Sequence, residues 1–200
     1  MDKILNWIKK NGISAALIAL IVAMLVFPDV KAWIMRQVAS TGLLNPKIEQ
    51  TQETETEKAE TVAILPEFIV SDSKGLATNT ADLNGKVVFI NFWASWCPPC
   101  RAEFPSIQKF YDKYKDKENI VFLTVNMDEK PELGMQYLEK EKYSIPFLVP
   151  SGNVPKEYFK GALPTTVILD KSGKIRMFHA GMADYSTSAF YSEIDQLIAE

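Results

Sequence analysis

Two hundred residues, 47% of them hydrophobic, are enough for one domain of about 150 residues with segments to spare. A net charge of −3, with no basic stripe interleaved with aromatics, excludes a nucleic-acid footprint. Two cysteines exclude a disulfide-built scaffold, and with the single histidine, His179, they cannot complete a closed Cys/His zinc site, so no metal or other cofactor is expected.

The first segment with a character of its own is residues 11–28, "NGISAALIALIVAMLVFP", which carries no charge. As a helix it would reach roughly 27 Å, close to the hydrocarbon thickness of a bilayer. Trp7, Lys9 and Lys10 precede it as an interfacial anchor. A core helix is rarely apolar on every face, and Phe27, Pro28, Asp29 and Lys31 supply no small-residue signal-peptidase site. An uncleaved, single-pass transmembrane helix is therefore the expectation. Lys3, Lys9 and Lys10 before the span, against Lys31 and Arg36 after it, favour a cytoplasmic N-terminus and an extracytoplasmic C-terminal domain. In residues 30–44, Val30, Trp33, Ile34, Val38, Thr41 and Leu44 recur near helical spacing. That face lies either on the outer membrane surface or against the soluble domain. Residues 45–61, rich in Glu and Thr, read as an acidic solvated linker, and residues 62–200 as the folded domain.

Within the domain, "EFIV" (67–70) is a short strand candidate, and "KVVFINFWA" (86–94) is an apolar run suited to a central strand buried on both faces. Pro98 opens a helix expected to run to about Lys117. "NIVFLTVNMD" (119–128) is a second buried strand, and "PELGMQYLEKEKYS" (131–144) a helix with Pro131 in its first turn. "IPFLVPSG" (145–152) predicts a strand and "VPKEYFKG" (154–161) a short helix. "PTTVILD" and "KIRMFHAG" are strands joined by the hairpin signal "KSG", and "TSAFYSEIDQLIAE" is a closing amphipathic helix. The alternation predicts an α/β domain with a mixed sheet and helices on both faces.

Both cysteines lie in "WCPPC" (96–100). Pro98 and Pro99 suit the first positions of a helix, whose N–H groups lack partners within it. This sets Cys97 at a helix N-terminus, where the helix dipole favours a thiolate, with Cys100 one turn further on. Cys97 is then placed to attack a disulfide and Cys100 to resolve the mixed disulfide. As a staple the pair would be poor, because so short a loop restrains little chain entropy. The two prolines also remove backbone donors near the Cys97 sulfur, which points to a moderately reducing pair.

The stretch "DLNGKVVFINFWASWCPPCRAEFP" (82–105) resembles the active-site segment of thioredoxin-fold proteins. More narrowly it resembles the membrane-anchored TlpA/ResA-like thiol–disulfide oxidoreductases of bacteria. The resemblance covers about residues 62–200 and implies a thioredoxin-like fold. It makes "ALPTTVILD" (162–170) the cis-proline loop, with Pro164 cis after Leu163, and fits "IPFLVPSGNVPKEYF" to a strand-plus-helix insertion. Trp96, Leu163 and Pro164 are the implied substrate-binding residues, although Trp96 could equally pack. Asn91 stands where ordinary thioredoxins have a buried acid, so that acid's proton-shuttle role is not assigned to it. Glu103, three residues after Cys100, matches an acid that ResA-like members place beside the active site; a solvated helix residue is the alternative. His179 is expected to be structural.

The implied function is reduction of protein disulfides outside the cytoplasm, in apocytochrome c maturation or a related redox assembly. The chain has no second cysteine pair with which to re-reduce itself, so it implies an electron donor, a membrane thiol-transfer protein. Two other functions compete. A copper-binding chaperone of this fold would use CxxxC with a suitably placed His, and a peroxiredoxin-like peroxidase would carry a Pro/Thr-containing motif before its cysteine; neither pattern surrounds Cys97.

Overall fold

The computed structural model describes residues 14, 16–18, 21–22, 28–39 and 66–200. Most of the predicted span at 11–28 and all of the predicted linker at 45–61 lie outside the described residues. Among those described, no helix is long and apolar enough to cross a membrane.

The buried apolar runs become the middle of the sheet. β3 (Val87–Trp93) is buried at every position, and β4 (Ile120–Asn126) lies parallel to it. β5 (Leu148–Pro150) continues the parallel set beyond β4. On the other flank β6 (Thr165–Leu169) runs antiparallel to β3, and β7 (Ile175–Ala180) antiparallel to β6. β1 (Ile69–Asp72) and β2 (Ala77–Asn79) close the far edge, giving the order β2-β1-β5-β4-β3-β6-β7. The mixed sheet is as predicted. β2 and the 3-10 turn Thr80–Leu83 that follows it were not predicted, because "GLATNTADLNG" shows no sustained period of either kind.

Side chains alternate across the pleat, so β3 divides two cores. Phe89 and Trp93 face a cluster built with α2 (Pro98–Tyr114), α3 (Pro131–Glu141) and α4 (Ser188–Ala199). Val88, Ile90 and Phe92 face a second cluster, closed by Phe68, Leu83 and Tyr158 with Phe159 packed against it. The domain's three α-helices thus share one face, which corrects the expectation of helices on both. The predicted helix at 154–161 is a single turn, in which Tyr158 and Phe159 both donate backbone N–H groups to the Pro155 carbonyl. Its two rings then turn inward, Tyr158 tilted against Phe68 and Phe159 stacked on Phe92, and Gly161 turns the chain away at φ 88°.

Before the domain, α1 (Pro28–Ala39) lies against α2, and Ala32 is completely buried. Of residues 30–44, the described part lies on the helix that packs against α2. Trp33 on the same helix stays 59% exposed.

Candidate active site

α2 begins where the sequence places it. Cys97 is its N-cap, in extended conformation, and the Cys97 sulfur accepts the backbone N–H of Cys100 at 3.2 Å. With prolines at the next two positions, this is the first N–H that the helix end can offer. The two cysteines form a disulfide. Cys97 retains 3% of its surface and Cys100 none, so Cys97 is the more exposed residue of the pair.

The loop ahead of Cys97 is fastened to the chain leaving β4. Asp128 accepts the Ser95 N–H at 3.0 Å, the Ser95 hydroxyl at 3.1 Å and the Asn126 side-chain amide at 2.8 Å. Met127 donates its N–H to the Trp93 carbonyl. Sequence reasoning missed Asp128; an acid just past an apolar strand is the only trace it leaves. Trp96, beside the disulfide, is 64% exposed and therefore does not pack into the core. The Leu163–Pro164 bond is cis. Leu163 packs on the cluster that contains both cysteines, and the Pro164 carbonyl accepts the Gly181 N–H at 2.8 Å.

Glu103 is not a solvated residue. It is 1% exposed, on the side of α2 that faces the sheet. The Asn91 side-chain amide donates to Glu103 Oε1 at 2.8 Å, and the Ala183 N–H points at Oε2 from 3.4 Å. Burial pushes the carboxyl up to about 8, against the downward pull of those two hydrogen bonds. Below that pH it is neutral, so it does not present the standing negative charge that its position in sequence suggests. Asn91 also donates to the Thr166 hydroxyl at 2.9 Å, and the Tyr185 hydroxyl donates to the same oxygen at 2.7 Å. Burial, and then the charge of Glu103, drive the Tyr185 phenol well above its ordinary range. Thr166 and Tyr185 were not singled out in the sequence, whereas Asn91 was visible as an amide in an otherwise apolar strand, where it must find partners. His179, on β7 opposite Thr166, has a buried Nε2 with no hydrogen-bond partner.

Such an arrangement, a disulfide at a helix N-terminus with a buried carboxyl three residues further along the same helix, has the parts that two-electron thiol chemistry needs. The Redoxin family model matches residues 58–191. The chain is 36% identical over 116 residues to the thiol–disulfide oxidoreductase ResA of Halalkalibacterium halodurans, covering 57% of this chain and 65% of that protein. It is also 36% identical over 118 residues to ResA of Geobacillus kaustophilus, covering 58% and 67%. Among solved structures, the exposed lipoprotein thioredoxin Etrx1 of Streptococcus pneumoniae superposes with a TM-score of 0.54 at 27% identity, over 66% of this chain and 99% of that one. The chain belongs to the redoxin family, as a ResA/TlpA-like member of the thioredoxin superfamily.

Proposed function

We propose that the protein reduces protein disulfides through Cys97 and Cys100 while held at the outer face of the bacterial cytoplasmic membrane by its N-terminal segment. The observation that carries the redox part is the placement of Cys97 as the N-cap of α2, disulfide-bonded to Cys100. In the reduced protein the Cys97 thiolate attacks one sulfur of a substrate disulfide. A Cys97–substrate disulfide forms, the substrate S–S bond breaks, and the departing substrate sulfur takes a proton. The Cys100 thiol gives up its proton and attacks Cys97, which re-forms the intramolecular disulfide and releases the second substrate thiol. The substrate gains two electrons, which the cysteine pair loses, and two protons, matched by the one that Cys97 released to solvent on ionising and the one that Cys100 gives up. Glu103 is the group that takes the proton from Cys100. A carboxyl titrating at about 8 is accessible in both forms near neutral pH. Trp96, Leu163 and Pro164 are the surface on which an extended substrate segment rests, with apocytochrome c as a fitting substrate and a membrane thiol-transfer protein as electron donor.

The test is trapping. Cys100→Ser is expected to accumulate mixed disulfides through Cys97, and Cys97→Ser to accumulate none. First alkylation at Cys100 in the reduced protein would overturn the assignment. Cell fractionation tests the placement: the full chain should sediment with membranes, and recovery in the soluble fraction would defeat it. Copper titration of the reduced protein separates this reading from a metal chaperone.

A further inference from the structure

Asn91, Thr124, Thr166 and His179 are cross-strand neighbours, Asn91 opposite both Thr124 and Thr166, and Thr166 opposite His179. Residues so paired share a face, and this is the face that carries α2. A polar row therefore crosses four strands beneath the redox helix, in an otherwise aromatic and aliphatic core.

Counting hydrogens along the row gives it a direction. The Asn91 amide has two N–H bonds, one spent on Glu103 and the other on Thr166. Tyr185 stands edge-on against Phe89 and Phe190, and its hydroxyl proton goes to Thr166. Thr166 thus accepts from both sides, while Asn91 Oδ1 is left buried without a partner. An amide with an unmet carbonyl holds this orientation only because two acceptors stand on its nitrogen side. Reversed, it would offer Oδ1 to Glu103, which suits the carboxylic acid and repels the carboxylate.

We propose that Asn91 and Thr166 are positioning residues for thiol–disulfide exchange: Thr166, braced by Tyr185, holds the Asn91 amide so that an N–H always faces the Glu103 carboxyl. The inference rests on the role proposed above for Glu103. Its effect is to favour the carboxylate and so bring proton release into a range that the thiols can use. The other titratable groups facing this site are Cys97 and Cys100 on α2, His179 on β7 and Tyr185 after it. Nearby Asp184 is occupied by the N–H and hydroxyl of Ser186. β3, β4 and β6 bring only the uncharged Asn91, Thr124 and Thr166 to the row.

The experiment is a pH titration of the full-length oxidised protein, with the Glu103 carboxyl followed by carbon NMR on labelled glutamate. The pH profile of disulfide exchange is recorded beside it. Glu103→Gln identifies the resonance. In Thr166→Val and Tyr185→Phe the Glu103 midpoint should rise by about half to one pH unit, the size expected when a hydrogen bond to a charged group is loosened. The exchange profile should move the same way. Asn91→Leu should give a shift at least as large. If it does not fold, the Thr166 and Tyr185 variants still decide. An unmoved midpoint in folded Thr166→Val overturns the proposal. So does an equal shift in His179→Gln, which would assign the effect to the imidazole. A midpoint that moves in Thr166→Val while the exchange profile ignores Glu103→Gln supports the positioning and rejects the proton-transfer role of Glu103.

Discussion

An unfolded chain ionises Glu103 near 4.5, whereas burial in the fold keeps the same carboxyl protonated to about 8. Between those values the native state binds more protons than the unfolded state, so stability falls as pH rises through this window. The contribution is complete below 4.5 and gone above 8, the reverse of a carboxylate held in a salt bridge. Urea denaturation of the oxidised protein at pH 5 and pH 8.5 should show the loss, on the order of a few kcal/mol. Glu103→Gln should flatten it; an equally steep Gln variant would place the titrating group elsewhere. Asp128 is the second residue with a large expected effect. Asp128→Ala orphans the Ser95 N–H, the Ser95 hydroxyl and an Asn126 N–H, and is expected to cost about 2–3 kcal/mol in the same assay. The two residues differ in how far sequence revealed them. Glu103 has a fixed helical offset from Cys100, so its nearness to the site could be read, but its burial could not. Asp128 acts across 33 residues of chain on Ser95, a contact that no local pattern encodes.

β3, β4 and α2 could be read because each buries enough of its surface to leave a continuous or periodic apolar signal. Two shorter elements could not. β2 has only three residues, and the segment at 154–161 is short enough that two inward-facing rings and a glycine decide its shape, outweighing helical preference. The predicted end of the redox helix at Lys117 overshot Tyr114, since lysines and aspartates after it favour a helix as much as a frayed turn. At this scale α2 is held by its lower half. Phe110 meets the rings of Phe89, Phe122, Tyr114, Phe190 and Tyr191, which ties two strands and α4 to the helix whose tip carries Cys97. Phe110→Ala should cost about 3–5 kcal/mol in denaturant unfolding. It should also raise the alkylation rate of the reduced cysteines, because the helix that positions them loses its deepest anchor. A loss below 1 kcal/mol would show that the surrounding rings collapse into the space.

Across the whole molecule, the redox helix is bounded by the sheet on one side and α1 on another. Ala32 is the small residue that lets α1 seat fully. Ala32→Glu should unseat it, because a carboxylate cannot be buried there without a partner. Trypsin should then cut after Lys31 faster than in the unaltered chain; equal rates would mean that α1 does not depend on this contact. The seat also behaves as a ligand site whose ligand is covalently attached. Residues 40–65 join α1 to the domain covalently, and covalent attachment raises the effective concentration of a docked segment far above that of a free helix. A chain cut before residue 62 trades that value for the bulk concentration of a free helix, which at ordinary dilutions leaves the seat empty. Exchange rates measured on such a shortened protein would describe a catalytic helix with one flank newly wetted.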